Sequence, residues 1–224
     1  AGAGSDVITA GAGTDSVNAG EGNDVVVISG ESIVLDNLDG GAGSDTLRVL
    51  GGAIDLSGAN IANFEMMQAN STSIALTQTQ FDNFNGNING SAGLILKMEQ
   101  AGVANVDELS DGFIGIRGTT GDDTINGSSD ADLLVGDAGN DVISGGEGND
   151  RLVTTAGQDN LDAGAGDDIL EVTDKAISTD TLEGGEGSDT LIVHDGLDLS
   201  GATLSNIEIL KGSGTVTMTQ AQLE

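Results

Sequence analysis

Thirteen aspartates in this chain share a repeating register, each two residues before a large aliphatic residue, and most of them lie nine residues apart. The clearest run reads GTTGDDTIN, GSSDADLLV, GDAGNDVIS, GGEGNDRLV, TTAGQDNLD, AGAGDDILE, from Gly118 to Glu171. The underlying template is G-G-x-G-x-D-x-U-x, with U a large aliphatic residue. A unit of nine residues cannot bury an apolar face by itself. It must stack on its neighbours, so the period dictates a solenoid rather than a globule.

The first six residues of each unit read as a turn and the last three as a short strand. U falls at Ile8, Val17, Val26, Leu38, Leu47, Ile125, Leu134, Ile143, Leu152, Leu161, Leu170, Leu182 and Leu191. On a three-residue strand the middle side chain points opposite to its neighbours. Two such strands facing each other make a thin sandwich with U inside, so two units form one coil.

The aspartates give each turn a hard oxygen ligand. They are Asp6, Asp15, Asp24, Asp36, Asp45, Asp123, Asp132, Asp141, Asp150, Asp159, Asp168, Asp180 and Asp189. Glycine permits positive φ and lets carbonyls point inward. A calcium ion takes about 6–8 oxygens, mixing carboxylates with backbone carbonyls. One turn cannot supply that many, whereas two turns on the same edge, one coil apart, can. The expected pairs are Asp6 with Asp24 and Asp24 with Asp45. In the later run, Asp123, Asp141, Asp159 and Asp180 share one edge, and Asp132, Asp150, Asp168 and Asp189 the other. An isolated turn aspartate would read as a local Asx bond; a column in register reads as ligands. Asp122 and Asp167 sit at the variable position before the column, and Glu21, Glu147 and Glu186 at the other variable position. These are expected to face solvent or to offer only a carbonyl.

Composition supports a cation partner. The chain has 37 acidic against 6 basic residues, a formal charge of −31, with aromatics at only 2 %. Such a chain opposes compaction and makes a poor globular core. Its carboxylates are periodic rather than clumped, which points to neutralisation on folding instead of disorder. No basic footprint for nucleic acid is present, and no apolar run is long enough for membrane insertion. With no cysteine, disulfides and thiolate metal sites are excluded. His194 is the only histidine and has no recurring partner. No nucleophile elbow, HExxH or phosphate loop occurs, so the chain is not read as an enzyme. Asn70-Ser71-Thr72 fits a short glycosylation pattern that is commonly fortuitous.

Four segments follow: an array at 1–48, a metal-poor β-solenoid segment at 49–117, a second array at 118–192 and a shortened metal-poor segment at 193–224. In each array one unit carries three extra residues before its aspartate, at Asp36 and at Asp180. Downstream, IDLSGANIANFEMM (Ile54 to Met67) matches LDLSGATLSNIEIL (Leu197 to Leu210), and TQTQF (Thr77 to Phe81) matches TQAQL (Thr219 to Leu223). Asp45 and Asp189 stand 144 residues apart, so the chain reads as a tandem repeat seen through a window. It opens in mid-repeat, as expected of a fragment. In the metal-poor segments Ser73 to Thr77, Leu94 to Met98, Phe113 to Arg117 and Thr215 to Thr219 are β-prone, and a helical turn is expected near Gln80 to Phe84.

This pattern resembles the haemolysin-type, or RTX, calcium-binding repeat, the nonapeptide period named for such proteins. The resemblance covers Ala1 to Arg48 and Gly118 to Ile192. It implies an all-β fold, a parallel β-roll or β-helix solenoid, with Ca²⁺ between successive turns and export by a type I secretion system. Asp130 in place of a glycine, the turn at Thr154 to Asp159 without its leading glycines, and the lengthened turns at Asp36 and Asp180 depart from the pattern. About seven ions are expected, or nine with the degenerate turns. The function expected is a calcium-binding structural module of a large extracellular or cell-surface bacterial protein, of adhesin, surface-layer or matrix type, folding on calcium after export. The alternative is an accessory module of a secreted protease, lipase or alginate epimerase. Open sheet edges make neighbouring copies candidate partners, and the flat strand face makes cell-surface glycans another. The mixed residues flanking U argue against an ice-binding face.

Overall fold

The computed structural model describes residues 1–224 except 30–35, 72, 85–86, 91–93, 99–101, 106–113, 174–178, 195 and 223–224. The three-residue insertions fall partly in 30–35 and 174–178, outside the described residues, as do Thr72, Phe113 and Leu223. The chain divides into two compact units: Ala1–Glu99 with Glu108–Ile114, and Gln100–Asp107 with Gly115–Glu224. Each is a parallel β-solenoid, and every strand pairing described is parallel.

In the first unit, Val7–Ala10, Val25–Ser29, Thr46–Leu50, Met66–Asn70 and Ile88–Gly90 stack in one sheet. Ser16–Asn18, Asn37–Asp39 and Asn60–Ala62 form a second, and Ala53–Asp55, Ser73–Leu76 and Leu94–Met98 pair in turn. In the second unit one sheet runs Leu133–Val135, Arg151–Thr154, Ile169–Val172, Thr190–Val193, Ile209–Gly212, preceded by the last three residues of Ile114–Arg117. The other runs Val103–Asn105, Thr124–Asn126, Val142–Glu147, Asn160–Ala165, Thr181–Glu183, Thr203–Ser205. Successive strands alternate between the two sheets because each nonapeptide supplies half a coil.

Register places U on U. Ile125 pairs with Ile143, Ile143 with Leu161 and Leu161 with Leu182, while Leu134, Leu152, Leu170 and Leu191 form the facing column. The lengthened coils do not disturb this. Val26 pairs with Leu47 and Val17 with Leu38. All thirteen U residues except half-buried Ile8 are buried. Each such aliphatic contributes about 2 kcal/mol by leaving water. The columns run on into the coils without aspartate: Leu47 pairs with Met67, Met67 with Ile88, and Leu38 with Ile61.

The helix, Gln78–Asn83, begins two residues before the expected turn. The reason is a reciprocal cap of the T-x-x-Q kind. Thr77 N donates to Gln80 Oε1 at 2.8 Å, and Gln80 N donates to Thr77 Oγ1 at 3.2 Å. Buried Gln80 then donates its Nε2 to the carbonyls of Leu56 and Ala59, both at 2.7 Å. Gln222 repeats this on Leu199 and Ala202, which explains why TQxQ travels with LSGA. Gln80→Ala removes the side-chain donor from the Ala59 carbonyl and leaves Leu56 O with Ala59 N alone, and is expected to cost about 2 kcal/mol. A fall in the first unit's unfolding midpoint checks this, with Thr79→Ala, at an exposed position of the same helix, as the reference.

Strands occur at Ser73–Leu76, Leu94–Met98 and Ile114–Arg117 as expected. The run at Thr215 to Thr219 makes only a single bridge, Thr217 to Asp198. Its counterpart Ser73–Leu76 is paired on both sides, whereas Thr217 is paired on one. Among the described residues no helix is long and apolar enough to cross a membrane.

Candidate metal centre: carboxylate columns on the coil edges

Each aspartate of the template sits at the residue just before its strand, where the turn delivers it to the coil edge. Its main chain continues the sheet ladder: Asp150 O accepts from Ile169 N at 2.9 Å, and Asp24 O from Thr46 N at 2.9 Å. Its side chain adds a second ladder, since Oδ1 accepts from the N–H of the aspartate one coil earlier. In the first unit Asp6 N donates to Asp24 Oδ1 and Asp24 N to Asp45 Oδ1, each at 2.7 Å, and Asp15 N donates to Asp36 at 2.8 Å. In the second unit one edge links Asp123 to Asp141, Asp141 to Asp159 and Asp159 to Asp180 at 2.9, 2.9 and 3.1 Å. The other links Asp132 to Asp150, Asp150 to Asp168 and Asp168 to Asp189 at 2.8, 2.7 and 2.9 Å. The pairs expected from the nine-residue period are thus the ones brought together. All but the half-buried Asp6 and Asp15 are buried.

The second oxygen divides the columns. Oδ2 of Asp15, Asp24, Asp36, Asp45, Asp141, Asp150, Asp168 and Asp189 is buried without a hydrogen-bond partner. Burying an unpartnered carboxylate oxygen is costly enough that it points to a cation as its partner. Elsewhere the protein supplies the partner. Asp123 Oδ2 accepts from Thr119 N at 2.7 Å and Thr119 Oγ1 at 3.0 Å. Asp132 Oδ2 accepts from Ser128 N at 2.8 Å and Ser128 Oγ at 2.9 Å. Thr154 Oγ1 bonds Asp159 Oδ2. The backbone tracks the difference in most turns, the turn of Gly11 and Asp15 being an exception. Gly41, Gly146, Gly164 and Gly185 hold the second turn position at positive φ, and Thr119 and Ser128, at the same position, do not.

The first residue of the motif lies where the carboxylate and the next coil's carbonyl approach each other. A Cβ on Gly145 would run into both Asp150 Oδ2 and the carbonyl of Ala163 one coil on. One on Gly184 would lie 2.7 Å from Asp189 Oδ2 and overlap Asn206 O. An unpartnered carboxylate oxygen and a main-chain carbonyl therefore border the same niche. Among the described residues no three His, Cys, Asp or Glu side chains converge. A cation here would draw its remaining oxygens from the backbone, which suits the hard, oxygen-seeking, geometrically tolerant Ca²⁺. The residues fit the ion.

Electrostatics agree. Burial, with neighbouring carboxylates adding to it, pushes Asp141 and Asp168 up to about 6 and Asp150 up to about 7. Asp45, Asp132 and Asp189 are raised mainly by burial, Asp132 being held back by its two bonds from Ser128.

Two features escape the Asp-x-U pattern. Position five of the turn carries its own ladder on the exposed rim. Asn23 Oδ1 accepts from Ser44 N, Asp122 from Asn140 N, Asn140 from Gln158 N, Asn149 from Asp167 N and Asp167 from Ser188 N, at 2.8–3.0 Å. Asp122 and Asp167 thus face solvent and also tie coils together. The recurrence of Asn or Asp at that position, in Asn23, Asp122, Asn140, Asn149 and Asp167, was the available signal. Glu21, Glu147 and Glu186 have exposed side chains and engage only through their backbones. The other feature is a glutamate closing a column in each unit. Asp45 N donates to Glu65 Oε2 at 2.6 Å and Asp189 N to Glu208 Oε2 at 2.8 Å. Both obey the same spacing, Glu-x-aliphatic, before Met67 and Leu210. His194 lies on an outer face with Nε2 3.0 Å from Glu171 Oε1, while Arg151 pairs with the other oxygen of Glu171.

A family profile described as the RTX calcium-binding nonapeptide repeat (4 copies) matches residues 1–26, 36–53, 116–143, 144–172 and 178–199, more than half of the chain. Comparison with curated proteins and with solved structures gave no match.

Proposed function

The chain belongs to the RTX calcium-binding nonapeptide repeat family, and we propose on that premise that it is a calcium-dependent structural module of a large secreted or cell-surface bacterial protein, of adhesin, surface-layer or matrix type. The observation that carries this reading is the buried, unpartnered Oδ2 that recurs in both units, at Asp15, Asp24, Asp36 and Asp45 in the first and at Asp141, Asp150, Asp168 and Asp189 in the second. A bound Ca²⁺ would supply the counter-charge and a partner for these oxygens. The holders would be Asp6, Asp15, Asp24, Asp36, Asp45, Asp141, Asp150, Asp168, Asp180 and Asp189, with backbone carbonyls completing each shell. Asp123, Asp132 and Asp159, whose second oxygen already has a hydroxyl partner, would be filled last among the seven to nine ions proposed.

The chain's own residues make the switch. At low calcium the columns place like charges one coil apart and strand them away from water, so the open chain is favoured. That state suits passage through a type I secretion channel. Outside the cell, neutralised columns let the U residues stack. The shallow rims and flat sheets contain no residues to which we assign catalysis. Adhesion to glycans or to further copies is proposed as the use to which the folded roll is put.

Far-ultraviolet circular dichroism of the whole chain tests the coupling. Added calcium is expected to raise β-signal cooperatively, and chelator to reverse it. A chain equally folded in excess chelator rules out the coupling.

A further inference from the structure

We infer that each unit carries one additional calcium site outside the nonapeptide pattern, formed where a shortened Asn-x-Glu turn closes a carboxylate column: Asp45 with Asn63 and Glu65, and Asp189 with Asn206 and Glu208. This rests on the calcium reading above and adds residues to it that neither the template nor the family match, which stops at 53 and at 199, includes.

Three observations carry it. The last aspartate of each column is buried, at 1 % exposure for Asp45 and 0 % for Asp189, and its Oδ2 has no partner. A carboxylate faces it from the next coil, because Glu65 and Glu208 accept the aspartates' N–H as an aspartate would. A carbonyl completes the niche: a Cβ on Gly40 would overlap Asn63 O, and one on Gly184 would overlap Asn206 O. In the regular turns this carbonyl comes from the motif's own first residue, as Ala163 O does over Gly145.

The turn is built for that placement. Asn63 and Asn206 adopt φ of 56° and 48°, a left-handed conformation that asparagine tolerates. Asn63 Nδ2 is anchored on Asp39 Oδ1 at 2.7 Å, and Asn206 Nδ2 on Glu183. In the regular motif the aspartate stands five positions after the first residue; here glutamate stands two positions after asparagine. The extra methylene of glutamate makes up reach lost with the three missing turn residues. Glu65 and Glu208 are themselves exposed, so water completes the shell more readily here than inside a column. The arrangement recurs in both units with different neighbours, Phe64 and Met66 in one, Ile207 and Ile209 in the other.

The competing role is a simple cap on the last N–H. Glutamine keeps that cap, since its Oε1 still accepts, and removes only the charge. Calcium bound to the full chain is counted by equilibrium dialysis for wild type, Glu65→Gln, Glu208→Gln, the double variant, and Glu65→Asp with Glu208→Asp. Each Gln variant is expected to lose one ion or weaken one site at least tenfold, the double variant two. The Asp variants are expected to keep the number with reduced affinity. Gln variants with unchanged number and affinity, or Asp variants that lose the ions as completely as Gln, overturn the inference. Unchanged Gln variants alongside a calcium-binding wild type leave the reading of the columns intact. A wild type that binds no calcium overturns both.

Discussion

Gly166→Ala is expected to lower the stability of the second unit by about 3–5 kcal/mol, and Gly43→Ala to do the same in the first. Gly166 has φ of 148° and Gly43 of 149°, a region that only glycine occupies without strain. A side chain there costs on the order of 1–3 kcal/mol from backbone strain alone. Its Cβ would also overlap the carbonyl of Gly148 or Gly22 in the preceding coil. Forced overpacking of this kind adds roughly 1–3 kcal/mol. The coil cannot move aside, because Gly166 N is bonded to Glu186 O at 2.8 Å and Gly148 N to Ala165 O at 2.9 Å. In a stacked fold each coil touches only its neighbours, so the damage severs the stack at that point. For a unit of this size the loss corresponds to a drop on the order of 20 °C in the midpoint. Thermal unfolding in saturating calcium measures it. Gly52→Ala, where a Cβ meets nothing within 4 Å, is the reference and should change little. Equal midpoints for Gly166→Ala and Gly52→Ala would show that the turns do not stack as described.

With calcium withheld by chelator, acidification from pH 7.5 to 5 is expected to increase β-structure. In the folded chain burial raises Asp141 and Asp168 to about 6 and Asp150 to about 7, against 3.8 for the free side chain. A carboxyl raised on folding favours the folded state when protonated. Its penalty is absent below pH 3.8, grows as pH rises through the folded value, and is complete above about 7. The metal-free roll is therefore most stable in acid and weakest at neutral pH, the reverse of ordinary acid denaturation. Protons and calcium compete for the same oxygens, so calcium affinity should fall over this window. Circular dichroism against pH in chelator, and calcium titrations at pH 7.5 and 5.5, give the two slopes. Loss of β-signal on acidification would mean that the columns are not the buried, charge-limited sites described.

The nine-residue period made the columns legible. From U at Leu152 and Leu170, and Asp at positions 150 and 168, both the strand register and the carboxylate pairing follow, because a solenoid repeats one local geometry. The fate of the second oxygen was less visible. It follows the conformation of the turn's second residue at most sites, where Thr119 and Ser128 differ from Gly146, but not at Asp15, whose Gly11 lacks positive φ. Glu65 and Glu208 were hidden because the template admits only aspartate, although their spacing to Met67 and Leu210 is the same. The cap formed by Gln80 lies more than twenty residues from the carbonyls it serves, beyond any local pattern.

The side-chain ladder has a direction: each aspartate Oδ1 accepts from the aspartate one coil nearer the N-terminus. That polarity sets a grammar for changes in repeat number. Excising one whole coil, such as residues 136–153, would join Asp123 to Asp159 and Asp132 to Asp168 with every donor meeting an equivalent acceptor. Excising a single nonapeptide would transfer everything downstream to the opposite sheet and strand the terminal glutamate on the wrong edge. Duplication and loss in such a gene are thus neutral in steps of eighteen codon triplets and disruptive in steps of nine.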